Sequence, residues 1–279
     1  MRKQAISKTL LILIIIVYLF DFLIIFFDKN PQIYLEHILA YPIYTIKYAK
    51  NMILKQHPPI KPKNTYTIAL AGDSMTDALR DAEFQLQNFF IPFYQRRNIR
   101  VLNYGFSSTN VLSVPDRLLE ETVYLTKTYP PLLSSDLDLV IIESFGNNPL
   151  SEFSLEAGLK KQNEVLDQII KLIQERNPTT LIVFLATVAP SKRYGEGVID
   201  LKPEQRIKWK TEREEYIKNH IAYAKSHRIL LIDLYNKTKD IEETPYISQS
   251  DYIHPSNEGL IFINKEIAEF IIRNRLLPI

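Results

Sequence analysis

Along most of this chain, short apolar runs alternate with longer segments of helical periodicity. Thr67-Ile68-Ala69-Leu70-Ala71 is an apolar run of strand length that stops abruptly in Gly72-Asp73-Ser74. Further runs occupy residues 99–104, 137–143, 180–186 and 229–233. Val140-Ile141-Ile142 and Leu181-Ile182-Val183-Phe184-Leu185 do not alternate with polar residues, as a strand with one wet face would. They read as strands buried on both faces. Between them, helical patterns span about 75–90, 114–126, 154–176, 203–226 and 256–274. Asn177-Pro178 closes the third of these, and Pro203 opens the fourth at a first-turn position. Strand–helix alternation of this kind predicts an α/β fold: a three-layer α/β/α sandwich around a five-stranded parallel sheet, flavodoxin-like in plan.

The N-terminal pattern is different. Residues 9–27 are apolar apart from Thr9, Tyr18 and Asp21, and Arg2, Lys3 and Lys8 precede or flank them. That length suits a bilayer span, and the leading positive charges favour a cytoplasmic N-terminus. Asp21 opposes the reading, since a carboxylate at a bilayer centre costs roughly 2.5–3.5 kcal/mol on insertion scales. The expected organisation is a membrane anchor at 1–28, a juxtamembrane helix and Pro/Lys linker at 29–64, and a catalytic domain at 65–279. This predicts a single-pass membrane protein with its domain on the extracytoplasmic side. The alternative is export after signal-peptide cleavage, although no small-x-small cleavage site stands out.

Composition narrows the chemistry. Net charge is +2 with both signs interspersed, so no nucleic-acid footprint emerges. The chain has no cysteine, which removes disulfides, thiolate metal sites and cysteine nucleophiles. No His and carboxylate cluster stands at ligand spacing, and no metal or organic cofactor is expected. His220 and His227, on or after a charged helix, are expected at the surface.

Open parallel sheets place their sites beyond the carboxyl ends of the strands. That rule selects Ser74, Gly105, Asn147 or Asn148, and the late loop holding Asp251 and His254. Each has a bland reading: Gly-Asp-Ser and Asp-x-x-His both suit capped turns before helices, and Asn148 suits a turn. Together they suit nucleophilic catalysis. Ser74 needs a base, His254 is the best-placed candidate, and Asp251 would orient the imidazole and stabilise its positive charge. Gly-x-Ser-x-Gly, the elbow of the larger α/β-hydrolases, is absent.

These four blocks, in this order, resemble the SGNH hydrolases of the GDSL esterase/lipase group. Gly72-Asp73-Ser74 resembles the first block, Asn103-Tyr104-Gly105 the second, Gly146-Asn147-Asn148 the third and Asp251-Tyr252-Ile253-His254 the fifth. The resemblance spans about residues 66–274. It implies Ser74 as nucleophile, an Asp251–His254 relay, and an oxyanion hole from Ser74 N–H, Gly105 N–H and the Asn148 amide. Two departures stand out. Pro149 replaces the Asp that usually follows the block-three asparagine, and Ser108 stands where a second block-two glycine is frequent.

The implied function is a membrane-anchored serine esterase that forms an acyl-enzyme. Its expected substrates are acyl or acetyl esters on a small molecule, lipid or cell-envelope glycan. One alternative is an O-acyltransferase acting on envelope polysaccharide, which would call for an acyl-donor partner protein. The other is a non-catalytic glycan-binding or scaffold protein on the same fold.

Overall fold

The computed structural model describes residues 60–279. Five parallel strands form the central sheet: β1 (Thr65–Gly72), β2 (Asn98–Gly105), β5 (Leu139–Glu143), β6 (Leu181–Ala186) and β7 (Leu230–Asp233). Their spatial order is β2-β1-β5-β6-β7. The chain therefore winds outward from β1 in both directions. Gly72 pairs with Gly105, and Ala71 with Ile142, so the carboxyl ends of β1, β2 and β5 finish at one edge.

Side chains alternate across this sheet into two apolar layers. Ile68, Leu70, Ile141, Val183 and Ile232 face a core closed by α2 (Glu83–Phe90) and α7 (Asn257–Arg273). Ala69, Ala71, Val140, Ile142, Ile182 and Phe184 face the opposite core. There they meet α3 (Val114–Leu119), α4 (Leu155–Arg176) and α5 (Pro203–Ser226). Burial on both faces explains the unbroken apolar runs, and the three-layer α/β/α sandwich follows from them. Short α1 (Ser74–Asp77) leaves the end of β1, and α6 (Leu234–Thr238) follows β7.

Two helices expected from periodicity are interrupted. The 75–90 segment divides into α1, a 3-10 turn at Arg80–Ala82, and α2. The 114–126 segment stops at Leu119, and a hairpin of β3 (Thr122–Tyr124) and β4 (Lys127–Tyr129) follows. Leu125 and Thr126 form its turn with φ of 46° and 63°. Both central residues of such a turn are left-handed, a conformation usually marked by Asn-Gly. Leu-Thr carries no such mark, so the hairpin left no trace in the pattern.

The N-terminal membrane anchor is corrected. Among the described residues no helix is long and apolar enough to cross a membrane. The expected span at 1–28, nearly all of the juxtamembrane segment at 29–64, and the alternative cleaved signal lie outside the described residues. The membrane partner, the single-pass localisation and the extracytoplasmic placement of the domain are therefore not retained. Hydropathy of one 19-residue run and the positive charges beside it were their basis, and these measure transfer energy and orientation bias rather than a structure. The fold class stands as the α/β sandwich.

Of the histidines on or after α5, His220 is fully buried and stacks on Phe184 with ring centroids 4.3 Å apart. Burial pulls its imidazole down to about 3, so it is a neutral core residue rather than a surface one. His227 stacks on Tyr223, with Nδ1 3.0 Å from the Tyr223 carbonyl.

Candidate active site

β1 delivers Ser74 to the sheet edge as the first residue of α1, with Asp73 as its N-cap accepting from Met75 N–H at 2.8 Å. Ser74 is 9% exposed. Its backbone N–H, in the first helical turn, has no intrahelical acceptor. The late loop brings His254 and Asp251 together: His254 Nδ1 lies 2.7 Å from Asp251 Oδ2. Asp251 Oδ1 also accepts from Ile253 N–H at 2.8 Å and His254 N–H at 3.0 Å. Partial burial opposes the Asp251 charge, but these N–H donors and the imidazole outweigh it and hold its carboxyl below the usual carboxylate range. With Asp251 ionised, Nδ1 is the protonated nitrogen and Nε2 is left as the basic one. His254 is near enough to Asp73, immediately before Ser74, for a charge on it to act there, which places the imidazole near the serine's loop.

Asn148 joins the same point from the loop after β5. Its Nδ2 donates to Asp73 Oδ2 at 3.1 Å, leaving its second amide hydrogen for another acceptor. Pro149 does not disturb this contact. α5 packs tightly here, because a Cβ on Gly146 would come within 2.3 Å of Ile217 Cγ1.

Gly105 is placed differently from the donor its block implied. Its N–H already donates to Asn103 Oδ1 at 2.8 Å, and its carbonyl accepts from Arg80 Nη2 at 2.7 Å. A Cβ there would lie 2.3 Å from Asp77 N, so glycine is needed for the close approach of β2 to α1. Three residues on, Ser108 is exposed with φ of 59°. Phe145 and Tyr252, in the asparagine and histidine loops, are also left-handed, at 53° and 55°. Each of these three loops thus holds one non-glycine residue in a costly conformation, a feature that clusters at functional sites.

Beneath the serine lies a polar layer that the sequence pattern did not show. Glu143, the last residue of β5, is 1% exposed and accepts from Ser144 Oγ at 2.7 Å and Asp73 N–H at 3.3 Å. Asp73 is itself fully buried. Burial pushes both acids upward, and Glu143 is pushed further by the neighbouring Asp73 charge. Asp73 has the Met75 and Asn148 donors to stabilise its charge, so of the two acids Glu143 is the one raised further and favoured to hold a proton. Arg117, 1% exposed, closes the layer by donating from Nη1 to Gly72 O and Tyr104 O, both at 2.8 Å. Its Nη2 donates to Thr109 Oγ1 and Ser113 Oγ. Nearby, Asp77 accepts from Arg80, Ser107 and Tyr124, which ties the β3–β4 hairpin to the block-two loop.

The protonated Glu143 has a measurable consequence. A carboxyl whose pKa is higher folded than unfolded makes stability fall as pH rises, from its unfolded pKa up to the folded one. Glu143→Gln removes that proton linkage. The variant is expected to gain on the wild type as pH rises above the ordinary glutamate range, whatever its constant offset from altered hydrogen bonds. Melting curves of both proteins across about pH 4–8 test this, and parallel pH dependence would refute a protonated Glu143.

Among the described residues, no group of three or more His, Cys, Asp or Glu side chains stands in position to hold a metal ion. The arrangement instead suits acyl transfer: a buried hydroxyl, an imidazole with an ionised partner, and N–H donors around the serine loop.

Comparison with known proteins agrees with this chemistry. The sequence profile of the GDSL-like lipase/acylhydrolase family matches residues 70–260. A search of curated proteins finds no match. Among solved structures, the chain is similar to the lipase/acylhydrolase from Enterococcus faecalis, with 21% identity and a TM-score of 0.54 over 77% of this chain and 98% of that one. It is also similar to Axe2, an acetylxylan esterase from Geobacillus stearothermophilus, with 17% identity and a TM-score of 0.50 over 75% and 93% of the two chains. At these identities the structural likeness speaks for the fold alone. The profile match covers more than half of the chain, and on it the chain belongs to the GDSL-like lipase/acylhydrolase family of serine hydrolases.

Proposed function

We propose that Ser74, His254 and Asp251 form the catalytic triad of this esterase. His254 Nε2 takes the Ser74 hydroxyl proton as Oγ bonds to the ester carbonyl carbon. The carbonyl π electrons move to oxygen, giving a tetrahedral oxyanion. Its collapse breaks the bond to the alcohol, which leaves with the proton from His254. Water then gives a proton to His254 and attacks the acyl-enzyme, and Ser74 is regenerated as the acid departs. Asp251 stabilises the imidazolium in both halves. The observation that carries this reading is the 2.7 Å contact between His254 and Asp251 on a loop whose imidazole charge reaches the serine's own turn.

For the oxyanion we assign the Ser74 N–H and the Asn148 amide, and we move the third donor from Gly105 to Ser108. The Gly105 N–H has an acceptor in Asn103, whereas that of Ser108 has no acceptor among the described residues and sits in the same strained loop. Asn148→Ala is expected to lower kcat by roughly 10²–10³-fold with a smaller change in KM. A loss below threefold would remove Asn148 from the oxyanion site.

The test of the triad is covalent labelling with a serine-directed fluorophosphonate and peptide mass mapping, beside hydrolysis of 4-nitrophenyl acetate and acetylated xylo-oligosaccharide. The acetylated sugar is chosen because an acetylxylan esterase shares the fold. Label on Ser74 that is lost in His254→Ala supports the reading. Label elsewhere, or none on the folded protein, overturns it.

A further inference from the structure

One wall of the site contains a buried cation without a counter-ion. Arg213 on α5 is 9% exposed, and its guanidinium lies 5.1 Å from the ring centroid of Tyr194 and 4.9 Å from that of Trp209. Nη1 donates to Trp209 O at 3.2 Å, while the buried Nε has no acceptor. Two other cations of this helix are paired, Lys210 with Glu214 and Lys218 with Glu215. No carboxylate among the described residues forms such a pair with Arg213. Desolvating a charge is expensive, and buried charges are normally met by an opposite one. Two aromatic faces, the Trp209 carbonyl and the Tyr194 hydroxyl, none of them an opposite charge, offset only part of that cost.

Three contacts tie this cation to the reacting groups. The carbonyl of Arg213 lies 3.5 Å from where a Cβ on Gly146 would stand, so α5 rests against the first residue of the Gly146-Asn147-Asn148 turn. Tyr194, 3% exposed, is near enough to Asp73, Asp251 and Arg213 for all three charges to act on its hydroxyl. Its neighbour Arg193 lies 4.2 Å over the ring of Tyr252, between Asp251 and His254. The segment after β6 and the start of α5 therefore form a flank shared by the asparagine and histidine loops. Trp209 is 40% exposed and gives that flank an apolar outer face beside the cation.

We propose that Arg213, framed by Tyr194 and Trp209, binds an anionic group carried by the substrate, so that the enzyme prefers carboxylate-bearing esters to neutral ones of the same shape. This selectivity rests on the esterase reading above. A carboxylate would supply the missing counter-ion, and the guanidinium can meet it with two parallel N–H donors. Trp209 would cover the pair and strengthen it by excluding water.

The test uses 4-acetoxybenzoate and its neutral analogue 4-acetoxybenzamide. Trp209 is the sole tryptophan, so its emission reports binding beside Arg213. In the full-length Ser74→Ala chain, the benzoate is expected to bind roughly tenfold or more tightly than the amide, as for a hydrogen bond to a charged group. Added salt should shrink that preference. Added Arg213→Gln should bring the ratio near one, and Arg213→Lys should retain part of it. With Ser74 intact, the ratio of kcat/KM values should follow the same order. Equal binding of the two esters, or a ratio unchanged in Arg213→Gln, overturns the proposal and makes Arg213 a clamp between α5 and Tyr194. If Arg213→Gln does not fold, the affinity ratio and its salt dependence with arginine present decide the matter. Preferential binding of the benzoate with hydrolysis of neither ester would sink the esterase reading and keep the anion site. Hydrolysis of both esters without preference would do the reverse.

Discussion

Ser74→Ala is expected to lower kcat by roughly 10⁴–10⁶-fold while leaving the fold intact. The side chain is small and caps nothing, and the polar layer beneath it hangs on Asp73 rather than on the serine hydroxyl. Alanine keeps the backbone N–H, so the oxyanion donor survives and only the nucleophile is lost. Because the triad acts as a unit, His254→Ala should cost about as much, and the double variant little more than either alone. Steady-state kinetics on 4-nitrophenyl acetate measure this, with circular dichroism confirming the fold. If Ser74→Ala retained a tenth of the wild-type rate, another nucleophile would have to be sought.

The second large effect is on stability. Arg117→Met is expected to destabilise the protein by about 3 kcal/mol. Arginine here serves four acceptors at the carboxyl ends of β1 and β2 and in the segment entering α3. Burial pulls its guanidinium down to about 10, which still leaves it charged at neutral pH and opposite the buried Asp73 and Glu143. Methionine fills much of the volume but leaves the Tyr104 carbonyl and the two hydroxyls without that donor. It also leaves the acid pair without a cation. Urea denaturation followed by circular dichroism gives the difference directly. A loss under about 1 kcal/mol would mean that water or a shifted loop replaces the guanidinium.

These two residues differ in how far they could be read from the chain alone. Ser74 stood at the end of an apolar run, before a helical pattern, in a block of recognisable type. Asp251 and His254 are three residues apart, so one local turn brings them together. The strands were legible because burial on both faces removes polar positions from a short segment, and α4, α5 and α7 because a helix repeats its apolar face over many turns. By contrast, Arg117 reads as one more basic residue of a short helix, and Glu143 as the polar end of a strand. Nothing in their neighbours announces full burial.

The misread segments have the same origin. The β3–β4 hairpin is three residues a side with a Leu-Thr turn, too short for a period and lacking turn chemistry. Gly105 matched a block, but its amide is taken by a side chain only two residues away in a strand-end geometry that composition does not reveal. The membrane reading of the N-terminal run rested on hydropathy and flanking charge, and that run lies outside the described residues.

The sequence by itself determined the five strands of the sheet and the long helices between them, and it supplied the serine, aspartate and histidine proposed here as the triad. These depend on periodicity and on neighbours a few residues apart, which the covalent chain specifies directly. Only the tertiary structure decided that Glu143 and Arg117 underlie the serine, that the Gly105 amide is already engaged, and that Arg213 lacks a counter-ion. Those facts join residues dozens of positions apart. Whether a buried polar group is satisfied or left seeking a partner depends on what the completed fold brings within hydrogen-bond reach.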